Sequence, residues 1–159
     1  MLFRKGNTQD LEELQQLFVE TVSEICRKDY TDEQIKVWVS GIENKERWLN
    51  ILANQYVLIA QIDSKIVGFC TLENHTYIDL FYVHKDFQGQ GIAKSLYLKI
   101  EKQAISSNQK KLSADVSITA KPFFEKVGFR VITEQKVVRK DVELINYQME
   151  KMINIELNS

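Results

Sequence analysis

Gln88-Gly89-Gln90-Gly91 sets two residues without side chains just ahead of Ile92, Ala93, Leu96, Tyr97, Ile100 and Ala104, which share one face at the helical period. The chemistry this spacing suits is anion capture. A helix start leaves its first amide N–H groups unpartnered and carries a partial positive charge, and glycine lets the backbone approach a bulky phosphate at φ > 0. A second reactive group lies upstream. Asp79 is the one charged residue in the run Tyr77–Val83, whose β-branched, aliphatic and aromatic members fall on both alternating faces. A carboxylate in such a strand is placed to take a proton from an ammonium; otherwise it pairs with a nearby lysine or caps a loop.

Two familiar phosphate loops do not fit. A Walker loop needs Lys-Ser directly after its last glycine and an earlier glycine five positions before it; here Lys94-Ser95 follow Ala93, and Gln88 stands nearby. A dinucleotide fingerprint built on Gly89 and Gly91 needs a small residue where Lys94 stands.

The elements that must position these groups read clearly. Leu2–Lys5 is a short strand, and Asn7 or Thr8 caps a helix whose inner stripe is Leu11, Leu14, Phe18, Val22 and Ile25. Thr31 and Gln34 form a capping box for a second helix through Trp38 to about Gly41. Lys45–Ala53 is a third helix, with Trp48. Tyr56–Ile62, Ile66–Leu72 and Tyr77–Val83 follow with no room for crossovers, which predicts an antiparallel meander turning first at Asp63-Ser64. Leu112–Val116 comes after a helix, so it is expected to lie parallel to the Tyr77–Val83 strand. Pro122 is tolerated in the first turn of a short helix, and Gly128 ends it. Phe129–Val138 and Val142–Met149 close the chain as a hairpin, the last strand being open to pair with a neighbour in a homodimer.

Composition narrows the classes. The 159 residues are 44% hydrophobic and 27% charged, as in a soluble globular domain, and the net charge of −1 gives no basic field for nucleic acid. No apolar run is long enough to span a membrane, and no apolar segment near Met1 suggests a secretory signal. Cys26 and Cys70 read as buried free thiols of a cytoplasmic protein, and with only His75 and His84 no metal site is expected.

Gln88-x-x-Gly91-x-Ala93 resembles the acyl-coenzyme A pyrophosphate loop, Gln/Arg-x-x-Gly-x-Gly/Ala, of the GNAT superfamily of N-acetyltransferases. Val116 to Phe129 resembles that family's second hallmark, matching it at Ser117, Ala120, Phe123, Glu125, Lys126, Gly128 and Phe129. The resemblance implies an α/β fold, a single domain over residues 1–153 with a mixed, mostly antiparallel sheet of about seven strands and helices on both faces, and a polar tail at 154–159. It implies transfer of acetyl from acetyl-coenzyme A to a small-molecule or peptide amine. The alternative is an acyl-coenzyme A-binding module without turnover.

By the same resemblance, Phe81, Tyr82 and Val83 pair with the pantetheine arm, and the Phe81 amide polarises the thioester. Gln88, Gly89, Gln90, Gly91, Ile92, Ala93 and Lys94 receive the pyrophosphate. The Lys94 ammonium adds a charge contact or stays solvated. Ser117 and Phe124 complete the coenzyme site. Relatives carry a tyrosine acid where this chain has Phe124, and some carry a glutamate base where it has Tyr77, so Tyr77 and Asp79 are the candidate catalytic residues. Tyr82, Glu73, Asp115 and His84, the last expected to be exposed in a turn, are further candidates. Trp38 and Trp48 are core, or a wall of the acceptor pocket.

Overall fold

Strands β2 (Tyr56–Ile62), β3 (Lys65–Glu73) and β4 (Tyr77–Val83) form the expected antiparallel meander. Asp63 and Ser64 turn the first hairpin at φ of 48° and 70°, a left-handed pair achieved without glycine. The computed structural model describes residues 1–153, so the expected tail at 154–159 lies outside the described residues. Ahead of the meander come strand β1 (Leu2–Lys5) and helices α1 (Leu11–Ile25), α2 (Asp32–Val39) and α3 (Lys45–Asn54). After it come α4 (Ile92–Ser106), β5 (Lys111–Ser117), α5 (Lys121–Lys126), β6 (Arg130–Arg139) and β7 (Val142–Met152). They build one seven-stranded sheet in the order β1-β2-β3-β4-β5-β7-β6. Only β4 and β5 run parallel, because α4 carries the chain back between them.

Strand alternation divides the core into two layers. Val57, Ile59 and Phe69 meet Leu14, Phe18, Val22 and Trp48 on the face covered by α1, α2 and α3. Leu58, Ala60 and Cys70 meet Leu96, Ile100 and Phe124 on the face covered by α4 and α5. The stripe of α1 is shifted from the expected one: Leu17 and Thr21 join its buried centre, while Leu11 and Ile25 are half-buried at its ends. The Thr31 capping box forms as read, with the Gln34 amide donating to Thr31 Oγ1 at 3.1 Å and the Thr31 amide to Gln34 Oε1 at 2.9 Å.

The seat of α4 matters most for the site. A Cβ at Gly68 would lie 3.1 Å from both Ile92 and Leu96, so glycine there lets the helix start settle onto the sheet. Ile92, Leu96, Tyr97, Ile100 and Ala104 are buried, and each large apolar side chain so buried contributes about 1.5–3 kcal/mol.

Two expectations are corrected. The final strand is not open: β7 lies between β5 and β6 and pairs with both, so the edge at that end of the sheet is β6. His84 is not exposed. Its amide continues the β3 ladder to the Val67 carbonyl at 2.8 Å, and the turn Lys85–Phe87 folds the Phe87 ring against the imidazole.

Candidate active site

The site begins with a strand pairing that stops. β4 and β5 share only the rungs Tyr77↔Ser113 and Ile78↔Ala114. Past this fork β4 stays on β3 while β5 runs with β7, and the two part. A β-bulge sharpens the geometry: between Leu72↔Ile78 and Cys70↔Phe81, β4 has one more residue than β3. The Leu80 amide there donates to the Thr71 hydroxyl at 3.0 Å instead of to a carbonyl. The bulge puts Asp79 and Leu80 on the α1–α3 face and returns Phe81 and Val83 to the α4 face.

The His84–Val67 bond sets the parity of the ladder. Counting back from it, the N–H and C=O groups of Phe81 and Val83 point away from β3, into the gap. The Val83 carbonyl already accepts from Thr21 Oγ1 at 3.0 Å and Gln88 Nε2 at 2.7 Å.

A cavity of about 910 Å³ runs through the gap from one face of the sheet to the other. At one end stand Gln88 and Ala93, at the start of α4. Gly89 and Gly91 hold φ of 73° and 80°, and no side chain caps the helix. A Cβ on either glycine would meet nothing within 4 Å, so it is the left-handed backbone and not crowding that selects glycine. Gln88 to Gly91 and Lys94 are exposed, whereas the Ile92 side chain is buried in the core, which leaves its amide as its polar contribution.

Opposite, Ser117 Oγ accepts the Ala120 amide at 3.0 Å and so shapes the turn into α5. Phe124 is buried, with its ring centroid 5.9 Å from Phe81, 5.7 Å from Phe123 and 5.0 Å from Phe129.

At the other end of the cavity, Asp79 is committed. Arg47 Nη2 donates to its Oδ1 at 2.9 Å, and Arg47 Nη1 and Gln55 Nε2 donate to Oδ2 at 3.3 and 2.8 Å. The pairing left open for Asp79 is therefore with an arginine of α3 and not a lysine. Tyr77 donates its hydroxyl to Asp115 Oδ2 at 2.8 Å. Burial, and then that hydrogen bond, hold the Tyr77 hydroxyl far above the ordinary phenol range, so it stays protonated. Burial also raises the Tyr82 hydroxyl. Tyr30 is pushed up to about 12, chiefly by burial; its hydroxyl donates to the Ile145 carbonyl at 2.6 Å and accepts the Ile118 amide at 2.9 Å.

The two tryptophans separate. Trp48 is buried against Phe18, while Trp38 lines the cavity beside Tyr30. Of the further candidates, Tyr82 and Asp115 line the cavity, while Glu73 and His84 do not. Sequence reasoning missed Arg47, Gln55 and Gln135. Each meets its carboxylate across tertiary space, and no spacing along the chain signals those meetings. Among the described residues no helix is long and apolar enough to cross a membrane, and no group of three or more metal-binding side chains occurs.

Comparison with known proteins agrees with this fold. Residues 26–151 match the family model described as an acetyltransferase (GNAT) domain. The uncharacterized N-acetyltransferase YafP of Escherichia coli K12 is 32% identical over 140 residues, 88% of each chain. A GCN5-related N-acetyltransferase from Rhodopseudomonas palustris superposes with a TM-score of 0.91 at 28% identity, over 96% of this chain and 95% of that one. The PaiA N-acetyltransferase of Thermoplasma acidophilum, solved in complex with coenzyme A, shares the fold with a TM-score of 0.78 at 24% identity, over 95% and 98% of the chains. The chain belongs to the GNAT family of acetyltransferases.

Proposed function

We propose that the gap between β4 and β5 is where the acetyl thioester of acetyl-coenzyme A meets a primary amine, of a small molecule or a peptide, which attacks it directly. The observation that carries this is the uncapped start of α4, behind two left-handed glycines, beside a strand edge whose polar groups face a through-going cavity. The amides from Gln88 to Lys94 suit the diphosphate, with the Lys94 ammonium free to add charge. The edge from Phe81 through Tyr82 to Val83 suits an extended arm, and Ser117 and Phe124 form the opposite wall.

The thioester supplies an activated acyl carbon. An ammonium must lose a proton before its nitrogen lone pair forms the C–N bond. The C–S bond then breaks, nitrogen loses a second proton, and the thiolate takes one, so each turnover releases one proton. The Phe81 amide, aimed into the gap, is the donor we assign to the carbonyl oxygen. Tyr77 and Asp79 are the candidate catalytic side chains of β4 on the acceptor face: Tyr77 remains a phenol, and Asp79 fixes Arg47 at the cavity. Phe124 has no O–H, so the thiolate is protonated from solvent. Buried free Cys26 and Cys70 support a reducing, cytoplasmic setting.

Phe124 also favours a second reading, a module that binds acyl-coenzyme A without turnover. A thiol-release assay over a panel of primary amines, run beside calorimetry with acetyl-coenzyme A, decides between them. Thiol release that depends on an amine supports transfer. Binding without release on any amine supports the module, and no binding at all ends both.

A further inference from the structure

The cavity is lined by three carboxylates, Glu43, Asp79 and Asp115. Two of them are neutralised by cations that also line it: Lys140 reaches Glu43 at 3.1 Å, and Arg47 holds Asp79 at 2.9 Å. Asp115 has no cation among the described residues. Its two oxygens are held by neutral donors, Tyr77 Oη at 2.8 Å and Gln135 Nε2 at 2.9 Å. Gln135 also reaches Asn146 Oδ1 at 3.0 Å, so the carboxylate is braced by β4, β6 and β7 through neutral groups alone. Three placements give that charge a direction. Asp115 is the first residue of β5 beyond the last rung shared with β4, so it stands at the fork where the gap opens. Its neighbours Ala114 and Val116 enter the core under α4, which turns Asp115 to the opposite face, where α1–α3 pack. Finally, it is exposed, and the same cavity is walled by the aromatic rings of Trp38 and Tyr82.

From this arrangement we infer that Asp115 receives the ammonium of the acceptor, and that the acceptor is a cationic primary amine on an apolar, ring-sized body lying against Trp38 and Tyr82. A braced carboxylate costs little ordering when the ammonium arrives, and a charge-assisted hydrogen bond there discriminates against a neutral analogue. Arg47 and Lys140 do not oppose this, since each is matched by its own carboxylate. Arg139, the remaining cation lining the cavity, lies on β6 four residues beyond Gln135, about 13 Å along the strand. This inference rests on the acetyl-transfer reading, deepens it by naming the acceptor class, and moves no proton to Tyr77.

The test uses the full chain saturated with coenzyme A, which cannot donate acetyl, and two probes of nearly equal shape, tryptamine and its neutral alcohol analogue tryptophol. Calorimetry should show tryptamine binding at least about tenfold more tightly than tryptophol. Asp115→Asn should abolish that preference, Asp115→Glu should keep most of it, and both should bind coenzyme A as the unsubstituted chain does. Thermal melting of both variants separates misfolding from lost recognition. A preference that survives in a folded Asp115→Asn, or an unsubstituted chain that binds neither probe or binds them equally, overturns the inference. Failure to bind coenzyme A would instead sink the reading on which it rests.

Discussion

Arg47 crosses from α3 to grip Asp79 on β4 through its two terminal guanidinium nitrogens, Nη2 and Nη1, at 2.9 and 3.3 Å. The Asp79 side chain is 8% exposed and that of Arg47 50%, so the pair has its anion inside and its cation at the cavity. A carboxylate with this many donors is a positioning group for Arg47 before it is anything else. Asp79→Asn and Arg47→Ala should therefore act alike. Each should lower acetyl transfer by about tenfold or more while leaving acetyl-coenzyme A binding nearly intact, and each should cost about 1–3 kcal/mol of stability. If Arg47→Ala transfers normally while Asp79→Asn is dead with a changed pH profile, Asp79 acts as the base itself.

Gly91 is open to space and demanding in φ, and the two can be separated. Gly91→Ala should fold with a penalty of about 1 kcal/mol from the left-handed backbone and keep its affinity for coenzyme A. Gly91→Glu sets a negative charge at the helix start and should weaken coenzyme A by at least about tenfold at a similar melting temperature. Unchanged affinity for Gly91→Glu in calorimetry would remove the loop from the coenzyme site.

Phe124 sits among Phe81, Phe123 and Phe129 and also lines the cavity, so a ring of the same outline can occupy its place. Phe124→Tyr adds a hydroxyl that can protonate the leaving thiolate. Turnover should rise by about tenfold, below the roughly hundredfold or more that a fully positioned acid supplies, with the KM for acetyl-coenzyme A little changed. A variant that folds but turns over no faster would show that thiolate protonation is not limiting.

Acid stability has a named contributor far from the cavity. Arg4 donates to both Asp10 oxygens, at 2.8 and 3.1 Å, and this pairing, against some opposing burial, holds the Asp10 carboxyl below its ordinary value. A carboxyl depressed by folding adds stability that is fully present above its unfolded value, and that is lost as pH falls through the lower folded one. Asp10→Asn should thus be less stable than the unsubstituted chain at neutral pH, and the two curves should converge below about pH 4. Denaturant melts across that window check the sign; parallel curves would assign the effect elsewhere.

What a single dimension determines here is local. Glycines before an amphipathic helix, a capping box at Thr31, a turn at Asp63-Ser64, and a helix between two strands are all written within a few residues of one another. Propensity, capping and periodicity act over that range, so the meander, the parallel pair and the glycine-led helix start are legible in the sequence. The order of the last two strands could not, because a hairpin can dock by either arm and only the sheet decides which. Nor could the fates of the carboxylates. Asp79 and Asp115 look equivalent as letters in strands. Folding brings Arg47 and Gln55 to one, and Tyr77 and Gln135 to the other, from segments between 20 and 38 residues away. Charge interactions fall off with distance in space and not along the chain, so the tertiary structure alone left one carboxylate neutralised and the other free to hold a cation.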